Sequence, residues 1–142
     1  MKKIRVAING FGRIGRAFLK VAKSRPELEI VAVNDLGDIK NFAYLLKYDT
    51  AYGVAPFEVS VNEKLNALVV DGAEVLFLSE KDPSQLPWKK LDIDVVVEAT
   101  GLFTSSEKAQ IHIDAGAKRV VVTAPLKDDS DSPVKGATVL RA

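Results

Sequence analysis

The sequence predicts an α/β domain built on a doubly wound, mostly parallel sheet with a small antiparallel hairpin insertion. Three observations predict it. The stretch from Ile4 to Arg16 passes from an apolar strand through three spaced glycines straight into a helical pattern. Apolar runs of strand length then alternate with amphipathic helical stripes along the chain. The later runs, Ile93 with Val95–Val97 and then Val120–Thr123, are continuously apolar, as strands covered on both faces are.

Size and charge narrow the field. At 142 residues the chain has room for one domain with a proper core, and about 70% of the unfolded surface can be buried at this size. Hydrophobic residues make up 47% and charged residues 27%, the balance of a soluble globular protein. A net charge of +1 gives no broad electrostatic claim on nucleic acid or on a membrane. No apolar run is long enough to span a bilayer, and Met1-Lys2-Lys3 leads into a strand without a secretory pattern, so the cytoplasm is the expected location. With no cysteine, disulfides and thiolate chemistry are excluded within this chain, and a single histidine, His112, excludes a multi-histidine metal site.

The first strand carries Ile4, Val6, Ala7 and Ile8. Gly10, Gly12 and Gly15 follow in the spacing G-x-G-x-x-G. Such a triplet is either an ordinary glycine-rich turn or a phosphate cradle. In a cradle the first glycine turns off the strand, the second lets phosphates approach the backbone, and the third packs the helix against the strand. The free N–H groups and dipole of the helix start favour an anion. The helix is expected to bury Ile14, Ala17, Phe18, Val21 and Ala22, with Arg13, Arg16, Lys20 and Lys23 on the other side. The second strand, Leu28 and Ile30–Val33, closes on Asn34 and Asp35, and Asp35 lies 20 residues after Gly15. A carboxylate there can accept both hydroxyls of an adenosine ribose and would repel a 2′-phosphate. Strand, glycines, helix, strand and acid in this order point to a dinucleotide, NAD rather than NADP.

The rest of the chain follows the same logic. Ile39, Phe42, Ala43 and Leu46 form a second helical stripe ending near Tyr48, and Asp49–Pro56 reads as an irregular connection. Three short strands, Phe57–Val61, Ala67–Val70 and Glu74–Leu78, form an antiparallel patch expected at one edge of the sheet, with Asp71-Gly72 as a two-residue hairpin turn. Asp82-Pro83-Ser84 starts a turn or single helical turn, and Trp88 reads as a packing anchor rather than a stacking platform. Thr104 and Glu107 fit a capping box that opens a helix from Ser105 to about Ala115, stopped by Gly116. The aspartates Asp128, Asp129 and Asp131 lack calcium-loop spacing and read as a solvated loop, and Val134–Leu140 is a candidate last strand. Gly10, Asp35, Thr100 and Thr123 all fall at strand ends, so four separated positions converge on one crevice.

The segments INGFGRIGR, VAVNDL, LLKYDTAYG, VVEATGLF and AGAKRVVVTAP together resemble the N-terminal part of a glyceraldehyde-3-phosphate dehydrogenase, from Ile4 to about Val134. The resemblance implies a Rossmann domain that binds NAD(H). It implies that the turn Gly10, Phe11 and Gly12 and the backbone at Arg13 and Ile14 hold the pyrophosphate, with Asn9 bracing the turn. It places Asn34 and Asp35 at the adenosine ribose, Lys81 near the adenine, Thr100 and Gly101 along the adenine side with Phe103 nearby, and Thr123 toward the nicotinamide. It makes His112 a structural helix position rather than the family's catalytic histidine. The family's nucleophilic cysteine, in an S-x-x-C-T-T-N segment, and its catalytic histidine are not found in these residues. The expectation is a cofactor domain, residues 1–142, that binds NAD without the catalytic domain and is inactive alone. Self-association through surface normally covered is a further expectation. Two rivals stand beside this reading: a domain of the related erythrose-4-phosphate dehydrogenase, and a scaffold or assembly module that binds no nucleotide.

Overall fold

A computed structural model describes residues 2–128 and 136–137. The elements run in order β1 (Ile4–Asn9), α1 (Arg13–Ala22), β2 (Leu28–Asn34), α2 (Ile39–Lys47), β3 (Tyr48–Asp49), β4 (Gly53–Val54), β5 (Val59–Asn62), β6 (Ala67–Val70), β7 (Ala73–Leu78), a 3₁₀ turn (Pro83–Gln85), β8 (Val95–Glu98), α3 (Ser106–Asp114) and β9 (Arg119–Val122). Seven strands form one sheet in the order β5-β6-β7-β2-β1-β8-β9. β7, β2, β1, β8 and β9 are parallel neighbours, and β5 and β6 add to the β7 edge as antiparallel strands. The doubly wound sheet expected from the sequence is thus the observed one.

Strand alternation sends side chains to two cores, one on each face. Val6 and Ile8 of β1, Val33 of β2 and Val97 of β8 pack with Leu19 of α1 and Leu46 of α2 on one face. Ala7, Ala32 and Val96 face the other way, onto Leu86, Trp88, Ile93 and Ala117. Helices α1 and α2 therefore cover one face, while α3 and the 3₁₀ turn belong to the other. Trp88 is fully buried, as a packing anchor should be. No helix among the described residues is long and apolar enough to cross a membrane.

The structure departs from the sequence reading at several points. Of the expected stripe of α1, Ala22 is buried and Phe18 packs on the core, but the buried face turns toward Gly15 and Leu19 and leaves Ile14 and Val21 56% and 62% exposed. The cause is Gly15: a Cβ there would lie 2.1 Å from the Gly10 carbonyl oxygen, so its closeness to the turn sets the rotation of the helix. The stretch Asp49–Pro56 is not wholly irregular, since Tyr48–Asp49 pairs with Gly53–Val54. The antiparallel patch is not entirely an insertion, because β7 is the parallel neighbour of β2 and only β5 and β6 are added. The Asp71-Gly72 turn is as expected, with φ of +48° and +80°.

The cap of α3 shifts by one residue. Ser105, not Thr104, is the N-cap: its backbone is extended and its side chain accepts from the Lys108 N–H. Glu107 then falls one position short of the capping-box site. Asp128 adds a second hold by accepting from the Ser106 N–H and hydroxyl, both at 2.6 Å. Gly116, at φ +114°, ends the helix as expected. Asp129, Asp131 and the segment 134–135 and 138–140 lie outside the described residues.

Candidate functional site

The parallel strands β2, β1 and β8 deliver Asn34, Asn9 and Glu98 to one level at their C-terminal ends, in register with one another. Beyond them the chain turns at Gly10, whose φ is +95°. A Cβ at Gly10 would lie 2.7 Å from the Thr100 nitrogen, so this glycine lets the turn press against the loop after β8. Gly12 is different. A Cβ there would meet nothing within 4 Å, which leaves open space over the backbone at the start of α1. As the N-cap residue it has no side chain to bond the first-turn N–H groups. Those donors and the helix dipole are therefore presented to whatever approaches.

Asp35 is held beside this turn. Its Oδ2 accepts from the Phe11 N–H at 2.8 Å and its Oδ1 from the Gly37 N–H at 3.0 Å. Each carboxylate oxygen keeps a further lone pair, so the oriented group can still accept from a diol. Phe11 itself is buried, with its ring edge-on to Phe42 at 5.7 Å between centroids. It acts as the apolar anchor of the turn while its N–H serves Asp35.

The basic side chains of α1 point away from simple phosphate contact. Arg13 reaches Asp49 at 3.3 Å, and Lys20 reaches the same carboxylate at 3.8 Å. Arg16 donates to the Phe11 carbonyl at 2.9 Å and so braces the glycine turn from behind. Burial, and then the like charge of Arg13, push the Arg16 pKa down, against the opposing pull of Asp49 and Asp35. Ile14 is exposed, so at Arg13 and Ile14 it is the backbone that the turn offers.

Asn9 and Asn34 are buried and bonded to each other, Asn34 Nδ2 donating to Asn9 Oδ1 at 2.8 Å. Asn9 Nδ2 donates onward to Glu98 Oε2 at 2.7 Å, so its side chain bridges the strand ends rather than the glycine turn. Asn34 clasps the Glu80 main chain from both sides, donating to its carbonyl and accepting from its N–H. This fixes the loop that carries exposed Lys81. On the other side, the Thr100 hydroxyl donates to Glu98 Oε1 and accepts from the Leu102 N–H, so it is committed to its own loop. Gly101 turns that loop with φ +77°, and Phe103 packs edge-on to His112 at 6.2 Å. Thr123 follows β9, with both its N–H and its hydroxyl on the Glu98 carbonyl. The predicted positions thus share the C-terminal edge of the sheet, with Asp35 and the glycine turn in direct contact.

One residue of this edge is not marked by the sequence motifs. Glu98 appears in the sequence only as the end of an apolar strand, yet it is 1% exposed and is the most heavily bonded side chain at this edge. The signal was a carboxylate closing the run Val95–Val97, which demands buried donors, with Thr100 two residues on and one histidine in the whole chain.

The family model for the NAD-binding domain of glyceraldehyde 3-phosphate dehydrogenase matches residues 4–106. The chain belongs to this family. Its cofactor is NAD. Among similar proteins are the glyceraldehyde-3-phosphate dehydrogenase of Thermotoga maritima, 50% identical over 134 residues, which are 93% of this chain and 40% of that protein. The cytosolic enzyme of Trypanosoma brucei brucei is 51% identical over 133 residues, 94% of this chain and 40% of its own length. That of Mycoplasma pneumoniae is 54% identical over 126 residues, 89% of this chain and 37% of its own length. The chain therefore spans about two fifths of the length of the curated relatives it matches. The match of this NAD-binding family covers β1 through the start of α3, and so includes every element that delivers the crevice except β9.

Proposed function

We propose that the chain holds NAD across the C-terminal ends of β2, β1 and β8, with Asp35 on the adenosine ribose and the Gly10–Ile14 turn on the pyrophosphate. The observation that carries this is the Phe11 N–H on Asp35. It sets an oriented carboxylate beside an uncapped helix start with open space above Gly12. Thr100, Gly101 and Phe103 then border the adenine side, with Lys81 near the adenine, and Thr123 lies toward the nicotinamide. Bound NAD supplies the hydride acceptor; these residues supply binding and orientation.

The names of the relatives support a role in the oxidation of glyceraldehyde 3-phosphate, in the cytoplasm. The chain contains no cysteine, so it has no thiol to form a covalent intermediate with an aldehyde, and we assign it the cofactor-holding half of such an enzyme. It is expected to catalyse no aldehyde oxidation by itself. β9 is the outer strand of the described sheet and leaves Val121 54% exposed, which supports self-association there. A sedimentation profile independent of concentration would remove that part of the reading.

Calorimetric titration with NAD and NADP tests the assignment. Micromolar NAD affinity, about −8 kcal/mol, with NADP much weaker is the expected result. No heat with either nucleotide, from a chain shown to be folded, would leave the glycine turn as structure only and favour a scaffold.

A further inference from the structure

Four donors converge on the Glu98 carboxylate. Asn9 Nδ2 and His112 Nε2 meet Oε2 at 2.7 and 2.5 Å, and the Thr100 N–H and hydroxyl meet Oε1 at 3.1 and 2.5 Å. The indole N–H of Trp88 can only donate, and it lies 3.1 Å from His112 Nδ1. Nδ1 is therefore the acceptor, and the ring hydrogen on Nε2 points at Glu98. The carboxylate has an all-donor shell built from β1, α3 and the loop after β8.

We propose that Glu98 is a positioning residue for NAD: acting through Thr100, its carboxylate holds the loop after β8 in the shape that closes the adenine side of the crevice. This rests on the crevice reading above. The Thr100 hydroxyl, once fixed by Glu98, accepts from the Leu102 N–H at 3.1 Å, so the carboxylate dictates the path of residues 100–102. Gly101, with φ +77°, completes that turn. The same loop is the wall against which Gly10 is pressed. Glu98 thus sets the spacing between the pyrophosphate turn and the adenine-side loop without touching the cofactor.

The chemistry makes a sharp variant. Glu98→Gln keeps the shape but replaces one acceptor by an –NH₂ donor. Turned toward Asn9 and His112, that donor faces two donors. Turned toward Thr100, it loses the Thr100 N–H bond. The second orientation is the milder: the hydroxyl can turn to accept from the amide, but its own hydrogen and the Thr100 N–H lose their acceptor, so the hold on the loop weakens while β1 and α3 stay tied.

The test combines amide hydrogen exchange with NAD titration, at a temperature where parent and variant are both folded. In Glu98→Gln the Thr100 and Leu102 amides should exchange at least ten times faster than in the parent, while the Ala32 and Val33 amides of β2 stay protected. NAD affinity should fall about tenfold. A purely structural Glu98 would lower the denaturation midpoint yet leave the affinity of the folded variant unchanged, and that result overturns the proposal. So do Thr100 and Leu102 amides that exchange at the parent rate. An Asp35→Asn control separates the two levels. If it weakens NAD and Glu98→Gln does not, the inference fails and the crevice stands; if neither weakens NAD, the crevice reading fails and takes the inference with it. Should Glu98→Gln not fold, Thr100→Val removes the hydroxyl that links Glu98 to the Leu102 N–H. Weaker NAD binding by the folded variant then supports the proposal, and parent affinity refutes it.

Discussion

The Phe11 N–H donates to Asp35 Oδ2 at 2.8 Å, so the residue between the first two glycines of the turn is bonded to the acid at the end of the second strand. The two halves of the nucleotide signature are in this way one rigid unit, with Gly37 completing the hold on Oδ1. Asp35→Asn keeps a single acceptor oxygen, which can serve Phe11 or Gly37 but not both. NAD affinity should drop by about 1.5–3 kcal/mol, the worth of a hydrogen bond to a charged group. NADP, relieved of repulsion at its 2′-phosphate, should lose less, so the preference narrows. Calorimetry with both nucleotides reads this, and equal NAD affinity in parent and variant would remove Asp35 from the site.

Gly12 and Gly15 should separate binding from folding. A Cβ on Gly12 enters open space, and its φ of −69° suits alanine. Gly12→Ala should leave stability within about 0.5 kcal/mol while weakening NAD, because the added methyl occupies the approach to the backbone. A Cβ on Gly15 would lie 2.1 Å from backbone oxygen, which cannot yield as a side chain can. Gly15→Ala should cost about 1–3 kcal/mol as overpacking and shift α1 from the turn. Urea melts and NAD titrations of both variants check the pair; a Gly12→Ala protein with parent affinity would place the phosphates elsewhere.

The sequence made the strands and the convergence of their ends legible because buried parallel strands read as plain apolar runs. β8 shows this; β9 carries the same apolar run but is the outer strand of the described sheet, so the expected cover on both faces fails there and Val121 is left exposed. The sequence also misled on the face of α1. Periodicity counts apolar side chains and gives no weight to glycine, yet Gly15 decides which side faces the sheet. The α3 cap is ambiguous in the sequence because Thr104, Ser105 and Ser106 offer three hydroxyls in a row, and Asp128, from a distant loop, fixes the helix start by holding the Ser106 N–H and hydroxyl. The Glu98 network was illegible for the same reason: its partners Asn9 and His112 are separated from it by 89 and 14 residues.

Acid should weaken the fold below about pH 4. Backbone N–H groups of Tyr52 and Ala51 hold the Asp49 carboxylate at a pKa of about 2, against 3.8 when free, with Arg13 and Lys20 adding to the effect and burial opposing it. Burial alone would raise the Glu98 pKa, but hydrogen bonds from His112, Thr100 and Asn9 outweigh it and leave the value below 4.5. Both groups bind fewer protons folded than unfolded. Their stabilisation is complete above their unfolded values and is lost as pH falls through the folded ones. Unfolding midpoints in urea should therefore be flat above pH 5 and fall between pH 4 and 2, and Asp49→Asn should flatten part of that fall. An unchanged slope in the variant would show that Asp49 is as easily protonated folded as unfolded.

Trp88→Phe probes the far end of the same network. Phenylalanine fills most of the indole volume but has no N–H, so His112 Nδ1, fully buried, loses its donor. An unsatisfied buried polar atom costs about 1–3 kcal/mol, and the lost ring volume adds to this. The His112 Nε2–H bond to Glu98 is untouched, so the loop after β8 keeps its anchor and NAD affinity should stay within about threefold of the parent. Trp88 is the sole tryptophan, so unfolding of the variant must be followed by far-ultraviolet circular dichroism rather than by fluorescence. Parent-like stability would mean that Nδ1 needs no donor and that the ring carries its hydrogen there instead, which would leave Glu98 facing a bare Nε2 lone pair. Lower stability with intact binding places the boundary between the packing of the second core and the nucleotide crevice at His112.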